Sequence, residues 1–358
     1  MRALILTHAR LDGTTGAGQV ALELGEALRA RGHDITLRST EPLPPGTRWW
    51  NTWKRQRAAC AEIARSEGPF DLIDTPAISA SSTLGRCGNI AVRSVQPELR
   101  YLWLEVREDL LRHPGPRSMA HAVLALPRDR AIRQGWKLAR VLLCQGQDEL
   151  SWMRAHHPRL APKLRPFRIA PPAADRSALA GLRDARPHGK GSPTRFLWIG
   201  RWSAQKGTRK LERLIEQRLH DAPSDRFTIA GCGSRPADEI PPEWLRSETV
   251  TLIPTFSRRE LPELLAGHQV GLFTSLVEGW GLSLQEMLES GMTVYASPTG
   301  AVRDLQPFFP TQLRRFPIPR HIDLTIDHQT WNAYQAEFDW TVIARDYELA
   351  TMGMRSLA

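Results

Sequence analysis

Short apolar runs alternate along the chain with longer stretches of helical periodicity. "RALILTH" (2–8) reads as a buried strand, "LDGTTGAG" (11–18) as a tight loop, "QVALELGEALRARG" (19–32) as an amphipathic helix stopped by Gly32, and "HDITLRS" (33–39) as the next strand. Further strands follow at "FDLIDT", "NIAVRSV" and "ARVLLCQ", each separated by helical segments. This alternation of short apolar strands with helical segments predicts a parallel sheet covered on both faces. Between residues 162 and 195 the pattern gives way to "PKLRPFRIAPPAAD" and "DARPHGKGSPTR", which reads as a linker. A second series of strands then begins at "RFLWIG", "RFTIAGCG", "TVTLIP", "VGLFTS" and "TVYAS". The pattern predicts an α/β chain of two doubly wound halves, which bind ligands beyond the carboxyl ends of their strands.

Composition narrows the function. At 358 residues and 41% apolar content the chain is long enough for two cores. Cys60, Cys87, Cys144 and Cys232 show neither a CxxC pair nor metal-ligand spacing, which speaks against a disulfide framework and a zinc site and for a reducing cytoplasm. The opening apolar run is too short for a signal peptide and no run reaches membrane-spanning length, so the expectation is a cytoplasmic protein. A formal charge of +10 favours polyanions or anionic surfaces. No nucleic-acid reader motif accompanies it, so no nucleic-acid partner is expected.

Three strand ends carry candidate chemistry. In "GTTGAG", Gly16 and Gly18 permit close backbone approach at a helix start, as a phosphate loop does and as a plain tight turn also does. "GRWSAQKG" sets Arg201 and Lys206 five apart on a loop leading into a helix, suited to a diphosphate, although solvated surface charge is the bland alternative. In "EGWGLSLQE", Ser283 and Glu286 have capping-box spacing, with Leu284, Met287 and Leu288 as the buried face and Gly291 as the stop. Capping leaves Glu278 unexplained, and a carboxylate at a strand end is an acceptor for hydroxyl groups.

These motifs, in this order, resemble the retaining nucleotide-sugar glycosyltransferases of the GT-B fold, specifically glycosyltransferase family four. "EGWGLSLQE" looks like the paired-glutamate motif and "GRWSAQKG" like the Arg and Lys phosphate loop; "FTIAGCGS", "LPELLAGHQVGLFTS", "RIAPPAAD" and "FDWTVIARDY" extend the likeness over nearly the whole chain. The resemblance implies two Rossmann-like domains facing each other across a cleft. Residues 1–170 are expected to bind the acceptor, 171–194 to link, 195–335 to bind the nucleotide sugar, and 336–358 to form a helix packing back toward the first domain.

The same resemblance implies site roles. Arg201 and Lys206 would neutralise the departing diphosphate, without a metal or other cofactor. Glu286 would accept from the ribose hydroxyls and Glu278 from hydroxyls of the transferred sugar. Amides near Gly281, Leu282 and Ser283 would meet sugar or phosphate, Gly16 and Gly18 would close over the donor, and Pro254 to Phe256 would pack the nucleobase. Reaction with retention would proceed by front-face attack, without a protein nucleophile.

Where relatives often carry a histidine, Gln96 stands here and cannot act as a base. His8, ending the first strand, either faces the acceptor or is structural.

The expected acceptor is a saccharide or lipid-linked molecule. "RWWNTWKRQRAACAEIARSEG" interleaves Trp49, Trp50 and Trp53 with Lys54, Arg55 and Arg57, and "RSMAHAVLALPRDRAIRQGWKLAR" adds a second apolar and basic run. These suit peripheral contact with an anionic membrane at the inner face of the cytoplasmic membrane, as in envelope polysaccharide or lipopolysaccharide assembly; alternatively the tryptophans fill the core. Transfer to a soluble natural-product acceptor, nucleotide-sugar epimerisation, and sugar-nucleotide binding without turnover are the competing readings.

Overall fold

The computed structural model describes residues 1–13, 15–43, 47, 49–186 and 193–352, with the side chain of Trp49 left out. The chain divides into two compact units, one of Met1–Pro172 with Ala336–Ala358, the other of Ala173–Gln335.

The first unit is built on β1 (Arg2–Thr7), β2 (Asp34–Ser39), β3 (Leu72–Thr75), β4 (Asn89–Arg93), β5 (Val141–Gln145) and β6 (Leu164–Phe167). Neighbours pair in parallel in the order β2-β1-β3-β4-β5-β6. Central strands such as β3 and β5 are buried along their whole length, as helices on both faces demand. The helix Trp340–Met352 belongs to this unit: Tyr347 Oη donates to Asp74 Oδ2 at 2.9 Å, and Arg93 Nε holds both oxygens of that buried carboxylate at 3.1 and 3.0 Å.

The second unit has β7 (Arg195–Ile199), β8 (Arg226–Ala230), β9 (Val250–Ile253), β10 (Val270–Phe273), β11 (Thr293–Ala296) and β12 (Leu313–Arg315) in the parallel order β12-β11-β10-β7-β8-β9. Numbered within the unit, that is the doubly wound order of dinucleotide-binding sheets, and its direction of winding reverses between β7 and β10.

Four sequence expectations change. The expected linker, 171–194, contains a helix, Ala173–Ala185, which belongs to the second unit; residues 187–192 lie outside the described residues. It docks with buried Leu179 and with cations: Arg183 Nη1 donates to Leu288 O at 3.2 Å, and Arg186 Nε, just past its end, to Ser290 O at 2.8 Å. Strands β6 and β12 are additions, both short and at sheet edges, with Arg165 and Pro166 in β6, where an edge tolerates proline, and Arg314 and Arg315 in β12. The expected capping box at Ser283 does not form. The helix spans Leu282–Glu289, so Ser283 is already its second residue and Gly281, with φ 89°, is the N-cap without any side-chain bond. Of the tryptophans in the first interleaved run, Trp53 packs partly buried against the core while Trp50 is exposed.

Among the described residues no helix is long and apolar enough to cross a membrane.

Candidate active site

The reversal between β7 and β10 brings two loops together. After β7 the chain runs through Gly200 and Arg201 to the short turn Ala204–Lys206, then to Gly207 and the helix Thr208–Asp221. Gly207 has φ 70°, and a Cβ there would lie 2.1 Å from the carbonyl oxygen of Thr274, just beyond β10. Glycine at this place is therefore what lets the loops touch. Hydrogen bonds fasten them: Thr274 Oγ1 donates to Lys206 O at 2.7 Å and Leu276 N to Gln205 O at 2.7 Å, while Trp198 Nε1, from β7, donates to Thr274 Oγ1 at 2.9 Å.

On this frame Lys206 Nζ meets Glu278 Oε2 at 2.5 Å, and Ser275 Oγ donates to the same oxygen at 3.0 Å. Both charged side chains are largely but not fully buried. Arg201 is exposed, and its guanidinium makes no hydrogen bond or ion pair among the described residues. The sequence-predicted Arg201, Lys206 and Glu278 thus stand on two adjoining loops at the carboxyl edge of one sheet. The charge-compensated carboxylate offers acceptors for hydroxyls, and the exposed guanidinium on the adjoining loop offers donors for phosphate oxygens.

Glu286, in the second turn of Leu282–Glu289, is buried. Burial pushes its carboxyl above the usual range, and Arg258 opposes that shift. Arg258 Nη1 donates to Glu286 Oε1 at 2.5 Å, while its Nε donates to Asp175 Oδ2 at 2.6 Å. The third nitrogen, Nη2, is buried with no hydrogen-bond partner among the described residues. Sequence reading missed Arg258 and Asp175. The basic pair in "FSRRELPELL", directly after Phe256, was the available signal for the first; Asp175 lay in the supposed linker.

The loop between the glutamates is anchored from below. Trp280 Nε1 donates to Gln285 Oε1 at 2.7 Å and Gln285 Nε2 to Tyr334 Oη at 2.7 Å, and Tyr334 in turn donates to Glu289. All four side chains are buried, and burial pushes the Glu289 carboxyl up to about 7. Gly281, Leu282 and Ser283 open the helix above this chain, where the first amides have no partner within the helix. Phe256 packs near Gly231, after β8, while Pro254 is exposed and its carbonyl accepts from Gly233 N at 2.9 Å. That pair therefore sits at the ends of β8 and β9, the second and third strands from β10.

The remaining candidates lie in the first unit. Gly16 begins the helix Gly16–Ala30, and a Cβ at Gly18 would stand 2.1 Å from Arg10 O, so this glycine serves the loop's own packing. The Gly18 amide donates to Thr15 Oγ1, the helix cap, at 3.2 Å. His8 lies where the first sheet reverses, its ring bonded to Thr40 Oγ1 and to Ser79 Oγ, each at 2.9 Å. Burial lowers its pKa to about 4, so the imidazole is neutral at physiological pH. Gln96 is half-buried past β4, its carbonyl accepting from Ser94 Oγ at 2.9 Å.

Residues 193–307 match the family of glycosyl transferases group 1. No curated protein sequence matches the chain. Solved structures do: an α,α-trehalose-phosphate synthase (UDP-forming) from Burkholderia vietnamiensis has TM-score 0.63 at 14% identity, over 99% of this chain and 100% of that one. Sucrose-phosphate synthase from Thermosynechococcus elongatus has TM-score 0.62 at 15% identity, over 99% and 95%. WaaG, a glycosyltransferase involved in lipopolysaccharide biosynthesis, has TM-score 0.58 at 12% identity, again over 99% and 95%. The chain thus carries a group 1 glycosyltransferase domain, residues 193–307, within the two-unit fold of the GT-B glycosyltransferases.

Proposed function

We propose that the chain is a retaining, metal-independent glycosyltransferase that moves a sugar from a nucleotide-diphosphate sugar to an acceptor hydroxyl. The observation that carries this reading is the Lys206–Glu278 pair at the winding reversal of the second sheet, with Arg201 on the same loop as Lys206. In this reading Arg201 and Lys206 take the diphosphate oxygens. As the bond from the anomeric carbon to the diphosphate oxygen breaks, its electron pair stays on that oxygen, and the two cations stabilise the charge that develops. The acceptor oxygen bonds to the same face of the sugar, and its proton passes to the departing diphosphate. Glu278 accepts from hydroxyls of the transferred sugar. Glu286 reads the ribose with the carboxylate oxygen that Arg258 leaves, since Oε1 is already engaged. Amides at Leu282 and Ser283 add donors at the helix start.

A nucleotide donor is supported by the UDP-forming activity in the name of the trehalose-phosphate synthase, and an envelope role by the lipopolysaccharide biosynthesis in that of WaaG. The net charge of +10 favours a lipid-linked acceptor held at an anionic cytoplasmic membrane face. A thermal-shift panel of UDP, GDP, ADP and CMP with their sugars tests the donor class: one diphosphate family is expected to raise the melting temperature. If none does, the reading fails.

A further inference from the structure

The helix Pro116–Leu138 is apolar on two opposite sides. Its inner side buries Ala125, Ala131, Ile132 and Trp136, and a Cβ at Gly135 would stand 2.0 Å from Ala77 O, so that side is seated tightly on the turn Ala77–Ser79. Its outer side carries Met119, Val123 and Leu126, exposed by 59, 61 and 49%. Their spacing of four and three residues makes one stripe over about two turns. A helix resting on a core ordinarily presents polar residues outward, and here that rule is inverted.

Farther along the same side the character changes. Arg130, Arg133 and Lys137 are exposed there, and continuing the count from Met119 in steps of three and four places them on the same stripe. The helix has one acid, Asp129, which is occupied by Arg133 Nε at 2.5 Å and Trp103 Nε1 at 2.8 Å. Beside Pro127 and Arg130 opens a groove of about 680 Å³ whose cations are Lys54, Arg57 and Arg130, and among the described residues no acidic one lines it. Leu111, on the helix Glu98–Arg112 packed alongside, is 60% exposed.

We infer that this face docks on an anionic phospholipid bilayer, with Met119, Val123 and Leu126 in the boundary between headgroups and acyl chains and with Arg130, Lys137 and the Lys54–Arg57 groove on lipid phosphates. An apolar stripe continued by cations matches the layering of such a surface, apolar inside and anionic outside. A second copy of the chain fits less well, because two such faces brought together would oppose like charges. The inference builds on the lipid-linked acceptor proposed above and gives it a surface.

The test is sedimentation of the whole protein with vesicles of phosphatidylcholine, with and without phosphatidylglycerol. The protein is expected to bind the anionic vesicles and not the neutral ones. Val123→Asp with Leu126→Asp, and separately Arg130→Glu with Lys137→Glu, should each lower the partition by about tenfold or more. Melting temperature should hold in both, as all four side chains are exposed. Equal or no binding to the two vesicle types overturns the inference, as do unchanged partition in the folded variants and a dimer that Val123→Asp with Leu126→Asp dissolves. Nucleotide-induced stabilisation is read in the same samples. Vesicle binding without nucleotide binding removes the donor assignment and keeps the docking face, whereas the reverse removes the face alone.

Discussion

Glu278 and Glu286 are eight residues apart, yet each has its own cation, and this separates their proposed roles. Glu278 is matched by Lys206 and Ser275, both on the strand-end loops, whereas Glu286 is matched by Arg258 from beyond β9. Glu286→Gln is expected to weaken the free nucleotide diphosphate and the whole donor alike, since both carry the ribose. Glu278→Gln should leave the affinity for bare nucleotide nearly unchanged while turnover falls, because its partner is the sugar and the contact strengthens in the transition state. Nucleotide titration and initial rates of both variants check this; equal loss of nucleotide affinity in the two would contradict it. Arg258→Ala probes the neighbour that sequence reading missed. It strips a buried carboxylate of its counter-charge, so a loss of about 3 kcal/mol in stability is expected from urea unfolding, well above the usual cost of losing a surface ion pair.

At the scale of elements, the strands were the most legible part of the sequence, because burial on both faces leaves an apolar run that survives any change of register. Edge strands β6 and β12 escaped, since each is only three or four residues long and is interrupted by arginine or proline. The helix Ala173–Ala185 escaped for a different reason: it buries Leu179 and the charged Arg183 and lies between two proline- and charge-rich stretches, so a short amphipathic segment was read together with its flanks. Site residues that follow a strand directly, such as Arg201, Lys206 and Glu278, could be read from their position. Arg258 stands equally close behind β9, but its role could not be read, because its partners Asp175 and Glu286 are 83 and 28 residues away. The helix Leu282–Glu289 carries the element-scale prediction. Burial raises Glu289 to about 7, so between the ordinary carboxylate value and that one the folded state keeps a proton that the unfolded chain has released. Stability should therefore fall as pH rises through this window, with Glu98 and Glu149, also raised to about 7 by burial, acting in the same direction. Glu289→Gln keeps the acceptor for Tyr334 and should make the fall shallower. Urea midpoints on either side of the window measure it, and an unchanged pH profile would contradict the assignment.

At the scale of the molecule, the sequence indicated two tandem α/β halves, and the closing helix proved to be part of the first unit, tied by Tyr347 to the buried Asp74–Arg93 pair. The proposed chemistry is concentrated in the second, where the family match also lies. Because Arg201 and Lys206 are assigned the role that a divalent cation would otherwise take, turnover is expected to survive excess EDTA. Loss of activity restored by magnesium or manganese would show that the site needs a metal. The most direct test of the central claim is calorimetric titration of the nucleotide diphosphate identified by thermal shift into the native chain, Arg201→Ala and Lys206→Ala. Charge-assisted bonds predict a loss of about 1.5–3 kcal/mol in binding for each substitution. Arg201 is exposed, so its variant should keep the native melting temperature, while Lys206→Ala, which leaves Glu278 without its cation, should melt somewhat lower. Unchanged affinity in both folded variants would contradict the account, because the diphosphate would then lie elsewhere.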